Sequence, residues 1–133
     1  MLGLLKPAES ASYAVLRIVT GLAFSIHGFQ KLFGVLTDQS TDLGSQLWIG
    51  GVIELGGILI AIGLLTRPFA VLASGTMAVA YIQYHWQLRL DENFFPAKNG
   101  GELALVYCFL FLFIALRGGG SVSLDRLIFG KRD

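Results

Sequence analysis

The sequence predicts an all-α integral membrane protein, a four-helix bundle with a short C-terminal interfacial helix. Three observations carry this. Four apolar stretches of near-bilayer length run through the 133 residues, and a hydrocarbon core about 30 Å thick takes roughly 20 helical residues. Hydrophobic residues make up 54% and charged residues 14%, and that charged share is well below the ~25% of soluble domains. The positive charges, finally, fall mostly on one side of the four stretches.

The first stretch is 14–33. An N-terminal apolar run with Lys6 before it resembles a signal peptide, but this one carries Arg17, is long, and ends in His27-Gly28-Phe29-Gln30-Lys31 without a small-residue cleavage site. It reads as a retained helix. The second, 47–65, follows a polar loop and Gly44-Ser45. The third, 68–88, starts after a tight Thr66-Arg67-Pro68 turn, where proline can open a helix because its missing N–H is not needed. The fourth, Leu103 to Leu116, is short and reaches spanning length as 101–117. Gly118-Gly119-Gly120 ends it. In 121–129, apolar Val122, Leu124, Leu127 and Ile128 stand beside Asp125 and Arg126, and Ser123 is placed to cap a surface helix. The whole chain, 1–133, reads as one domain.

Charge sets the orientation. Lys6, Arg67, Arg117, Arg126, Lys131 and Arg132 lie on one side, with Arg17 just inside the first helix. Asp38, Asp42, Asp91, Glu92 and Glu102 lie on the other, with Lys31, Arg89 and Lys98. Cytoplasmic loops are rich in Lys and Arg, so both termini are expected in the cytoplasm of a bacterial inner membrane protein. Trp48, Tyr84 and Trp86 fall near the outer helix ends, as an interfacial aromatic belt does. The net charge of +1 gives no basic tail for nucleic acid. The partners expected are the bilayer, further copies of the chain, or redox subunits.

Cys108 is the only cysteine, so dithiol chemistry within the chain is excluded, and it reads as a small core residue. Small residues mark helix contacts in lipid: Gly21 and Ser25, then Gly50, Gly57 and Ala61, then Ala70, Ser74 and Ala78. Glu54 shares the face of Gly50, Gly57 and Ala61, about 10 Å below the outer surface. A carboxylate there needs a partner. His27 lies at the same depth on the first helix, with Lys31 one turn outward and Arg17 on the same stripe. Gln83 and Tyr84 from the third helix and Glu102 from the fourth complete a polar pocket, under a loop containing Phe94-Phe95-Pro96.

Several motifs carry a resemblance: Arg17-x-x-x-Gly21, His27-Gly28-x-Gln30-Lys31-Leu32-Phe33-Gly34, Glu54-Leu55-Gly56-Gly57, Gly63-Leu64-Leu65-Thr66-Arg67, Asn99-Gly100-Gly101-Glu102 and Ser123-Leu124-Asp125. On these the chain resembles the DoxX family. The resemblance implies a four-helix bacterial inner-membrane protein and a link to quinone or thiol oxidation.

Two readings stay open. In one, the pocket takes a quinone or similar amphipath, and the chain is a subunit of a quinone-linked oxidoreductase. His27, Lys31 or Gln83 would donate to the ring carbonyls, Trp48, Tyr81 or Trp86 would wall the ring, and His27 and Glu54 would handle protons. In the other, the same cluster only fixes helix register in a non-enzymatic scaffold or carrier. No covalently bound cofactor is expected, and no His or Glu spacing supports a metal site. Without flavin or nicotinamide signatures, the electron carrier must be quinone or a partner.

Overall fold

Helix α1 (Leu2–Phe33) is long because nothing stops it. It begins well before the expected residue 14. Pro7 lies close enough to the N-terminus that the carbonyl it leaves unbonded, that of Gly3, is near the helix start. The computed structural model describes residues 2–130 and is all-helical; among the described residues there is no strand. Lys131 and Arg132, counted above among the cytoplasmic charges, lie outside the described residues.

The second apolar stretch is one bent rod rather than a continuous helix over 47–65. It consists of α2 (Gln46–Leu55) and α3 (Gly57–Ile62). Gly56 tightens the turn between them, its N–H donating to Ile53 O at 2.9 Å. Phe69 packs against this turn and requires glycine there: a Cβ on Gly56 would lie 2.7 Å from its ring. The rod ends early, at Gly63 in the left-handed region (φ 75°). Gly63 N–H reaches Ile60 O at 3.1 Å and Leu64 N–H reaches Leu59 O at 2.9 Å, the paired bonds of a Schellman end.

Helix α4 (Thr66–Ala80) runs on through a π-helical turn, Tyr81–Trp86, to the left-handed Gln87. A 3-10 turn at Glu92–Phe94 and α5 (Pro96–Asn99) fold the next loop. Helix α6 spans Glu102–Arg117 and α7 spans Leu124–Phe129. Ser123 caps α7, its hydroxyl accepting from Arg126 N–H at 3.2 Å.

The contacts run up, down, up, down. Helix α1 packs on α2 and α3, and α4 packs on α6. A Cβ on Gly28 would meet Gly51 O at 2.6 Å, and one on Gly21 would meet Ala61 N at 2.7 Å, so α1 ascends as α2 and α3 descend. Arg67 donates to Leu116 O at 2.6 Å and Ser74 to Cys108 O at 2.7 Å, which sets α4 and α6 antiparallel. The core between them is Phe24, Ile60, Ala70, Ala73, Met77, Tyr107, Phe111 and Ile114. Gly51, not Gly50, makes the α1 contact; no atom lies within 4 Å of a Cβ built on Gly50.

By length and composition one helix among the described residues, Leu5–Phe33, suffices alone to cross a membrane; Gln46–Ile62 is shorter. The Gly56 turn and the Gly63 end explain why the second stretch falls short of the length its composition suggests.

One end of the fold is locked by Asp125. Its carboxylate accepts from Leu65 N–H at 2.7 Å and Thr66 N–H at 2.9 Å, capping α4 from a distant segment. Partial burial pushes this carboxyl up, but those backbone bonds and the Arg17 charge outweigh it and hold it below the usual Asp range. A folded value below the unfolded one means the stabilisation is full above the ordinary value of about 3.9 and is lost as pH falls through the folded value. Asp125→Ala should cost about 1 kcal/mol, the usual loss of a cap. Thermal melts across pH should show that deficit at pH 7 and its disappearance in acid.

Candidate functional site

The interior holds charge where a core would not. Glu54 is 2% exposed and Arg17 is 1% exposed. Each is handled differently.

Lys31 Nζ donates to Glu54 Oε1 at 2.5 Å. The second carboxylate oxygen, Oε2, is buried without a hydrogen-bond partner. His27 and Tyr107 lie within electrostatic reach of that carboxylate. The two rings meet edge to face at 6.4 Å, and Tyr107 stacks on Phe111 at 5.6 Å. Three ionisable side chains from two elements, α1 and α6, therefore surround one buried acid on α2. Lys31 is fixed from outside by its own carbonyl, which accepts from Thr41 N–H at 2.8 Å and Thr41 Oγ1 at 3.0 Å. This folds the 34–45 loop back over the end of α1.

The structure brings His27, Lys31 and Glu54 to one place and puts Arg17 elsewhere. Ten residues of helix separate Arg17 from His27, about 15 Å. Arg17 NH1 donates to Ile60 O at 2.5 Å and Ala61 O at 2.6 Å, and NH2 donates to Val122 O. It thus satisfies carbonyls at the C-terminal end of α3, where a cation is also favoured by the helix dipole. Glu102 is exposed in the first turn of α6, without an ion pair among the described residues. Gln83 is exposed and accepts from Gln46 Nε2 at 2.5 Å.

The aromatic residues divide in the same way. Tyr84 lines an open groove of about 410 Å³ between α2 and α4, with Lys31, Gln46, Gly50, Ile53, Leu72 and Gly75 among the other walls. Trp48, Tyr81 and Trp86 do not line it. Tyr81 OH donates to Phe94 O at 2.7 Å, and Trp86 Nε1 donates to Arg89 O at 2.9 Å while its ring meets Phe94. Both hold the 87–101 loop. Asn99 belongs to the same construction: its side chain donates to Asn93 O at 2.8 Å and accepts from Gly101 N–H at 2.7 Å. Gly101 has no room for a Cβ, with His85 and Tyr81 atoms at 2.8 Å. Among the described residues no three His, Cys, Asp or Glu side chains converge on one point.

Tyr107 is the residue that sequence reasoning missed. It sits in an uninterrupted apolar run, and its signal was a lone phenol on the face of Ala104, Phe111 and Ile114.

An all-helical chain whose first two rods meet at glycines, around a Lys–Glu pair, defines a class of small helical protein. The chain belongs to the DoxX family, whose model matches residues 12–86. An "Uncharacterized protein" of Haemophilus influenzae is 40% identical over 123 residues, covering 89% of this chain and 91% of the relative. "Inner membrane protein YphA" of Escherichia coli is 31% identical over 121 residues, with 84% and 86% covered. "Putative oxidoreductase CatD" of Bacillus subtilis is 32% identical over 126 residues, with 90% and 89% covered. No solved structure matches the chain.

Proposed function

We propose that this protein spans the bacterial inner membrane as a four-helix bundle with both termini in the cytoplasm. There it binds a quinone-like amphipath, with the head at Lys31 and the tail in the groove between α2 and α4. The membrane half of the proposal is supported by where the apolar side chains point. Val15, Val19, Leu22, Ile49, Val71, Leu72, Val106, Phe109 and Leu116 are all exposed on outer faces, while Arg17, Thr20, Ser25, Glu54 and Ser74 are buried. Water would oppose such a distribution, and hydrocarbon does not. α6 and the bent α2–α3 rod reach across with their flanking residues, since short spans are accommodated by bilayer thinning and snorkelling. The name of the Escherichia coli relative agrees.

The observation that carries the ligand half is the placement of Lys31. It lines the groove and also holds the buried Glu54. The groove follows α4 from Tyr84 to Val71, about 20 Å of helix. That suits an apolar tail entering from lipid. Lys31, the Gln46 amide and the Tyr84 hydroxyl supply donors for carbonyl oxygens at the head. Behind Lys31, the orphaned Glu54 oxygen, His27 and Tyr107 offer proton-exchanging groups away from lipid. A further electron carrier would come from a partner, beside which the chain serves as an accessory subunit. The name of the Bacillus subtilis relative points the same way.

A short-chain ubiquinone analogue should bind saturably to the full chain in nanodiscs, quenching tryptophan fluorescence. Tyr84→Leu with Gln46→Leu, both exposed positions, should weaken it without lowering the melting temperature. Absence of saturable binding, with or without co-purified partners, overturns the redox reading and leaves the Lys31–Glu54 pair as a register lock in a scaffold or carrier. Orientation is tested separately on a Cys108→Ala background. Cysteines placed at Asp42 and Lys98 should react with an impermeant thiol reagent in intact cells, and cysteines at Arg126 and Lys131 should not.

A further inference from the structure

The end of the fold away from the groove holds a second cavity, of about 300 Å³, between the start of α4, the 118–120 glycines and α7. Three arginines line it: Arg67, Arg117 and Arg126. Asp125 is the acid among its walls, and both its oxygens are already taken by the N–H groups of Leu65 and Thr66. Arg117 pairs with Glu9 at 3.0 Å, so the excess positive charge rests on Arg67 and Arg126, and several donors are left over. Arg67 uses NH1 for the carbonyls of Ala115 and Leu116, while its Nε and NH2 face the glycine loop, 3.1 and 3.3 Å from where a Cβ on Gly118 would sit. Arg126 has no side-chain partner among the described residues. The N–H groups of Gly119 and Gly120 make no hydrogen bond among the described residues either.

The observation that points to a ligand is Thr66. This cavity-lining residue is fully buried at 0% exposure. Its hydroxyl lies beside the Asp125 carboxylate and helps hold it ionised, while no group meets that hydroxyl in hydrogen-bonding geometry. It lies 3.1 Å from where a Cβ on Gly119 would sit, so it faces the glycine loop. A buried hydroxyl without a partner costs about 1–3 kcal/mol. Backbone N–H groups of a glycine loop, a threonine hydroxyl and forked guanidinium groups share one preferred guest, a tetrahedral oxyanion.

We infer that this cavity binds a phosphate group, as a lipid headgroup or a free phosphate carries it. The arginines supply charge, and Thr66 and the Gly119 and Gly120 amides supply directed donors. Phosphate held there would join α4, α6 and α7, tying the C-terminal helix to the bundle. The inference does not depend on the groove or on quinone.

The test uses the delipidated full chain in neutral detergent at fixed ionic strength. Thermal stability and native mass spectra are followed while phosphatidylglycerol, phosphatidylcholine, inorganic phosphate or chloride is added. Arg126→Glu is the variant, because that side chain has no partner among the described residues. Saturable stabilisation by phosphatidylglycerol over phosphatidylcholine, weakened about tenfold or more by Arg126→Glu, supports the site and names a lipid as the source. Saturable stabilisation by inorganic phosphate over chloride, with the same loss in the variant, supports the site with a free phosphate. Equal behaviour of all four additions overturns the inference. So does a response that Arg126→Glu leaves intact, because general surface charge would then explain it.

Discussion

Lys31→Met should destabilise the protein by about 3 kcal/mol, more than Glu54→Leu does, although the two side chains form one ion pair. The asymmetry follows from their surroundings. The Lys31 side chain keeps 30% of its exposure and the Glu54 side chain 2%. Removing the acid leaves an ammonium that can turn to the outer surface along its flexible stem. Removing the lysine strands a carboxylate that already has one oxygen without a partner. The double variant Lys31→Met with Glu54→Leu should recover most of the loss, since an apolar pair of similar volume carries no desolvation cost. Melting of all four proteins in one detergent gives the coupling energy. A Lys31→Met protein as stable as the parent would show that Glu54 is not held by Lys31.

How much of this was readable from the chain depends on the kind of question. That Glu54 faces inward was readable, because Gly57 and Ala61 share its face and helices meet at small residues. Its partner was harder. His27 and Lys31 stand one turn apart on one stripe, and equal depth favoured His27. Depth is a property of the backbone, however, and a lysine side chain spans a helical turn. Arg17 shows the same limit from the other side. Its angular position on the helix was readable, but its partners are carbonyls freed by the Gly63 end, and a backbone break does not show in a hydropathy pattern. The packing at Gly56 was hidden similarly: Phe69, on another helix, fills the space a side chain would take. Tyr107 was lost in an apolar run, and Trp86 read as part of a belt and Tyr81 as a wall of the ring site, although both bind the 87–101 loop. The α7 cap by Ser123 was legible because caps are local.

Gly50 and Gly57 separate packing from binding within one rod, and substituting leucine at each should give opposite results. A Cβ on Gly57 would run into the carbonyl oxygen of Gly21 and stand 3.0 Å from Ser25 N. These are backbone atoms of α1 and cannot swing away, so the helices must part. Gly57→Leu should therefore cost about 3 kcal/mol or more, the upper range for overpacking, and most of the protein should fail to appear as a monodisperse folded species. Around Gly50 there is no atom within 4 Å of an added Cβ. Leucine there should hold or slightly raise the melting temperature, since glycine is about 0.8 kcal/mol poorer than the best helix formers. Its side chain would instead enter the groove that Gly50 and Gly75 leave open. Binding of the ubiquinone analogue should then weaken about tenfold or more, equivalent to ~1.4 kcal/mol, in a protein that is otherwise intact. A Gly50→Leu variant that binds as the parent does would remove the analogue from this groove. A Gly57→Leu variant that melts as the parent does would remove the close contact between α1 and α3.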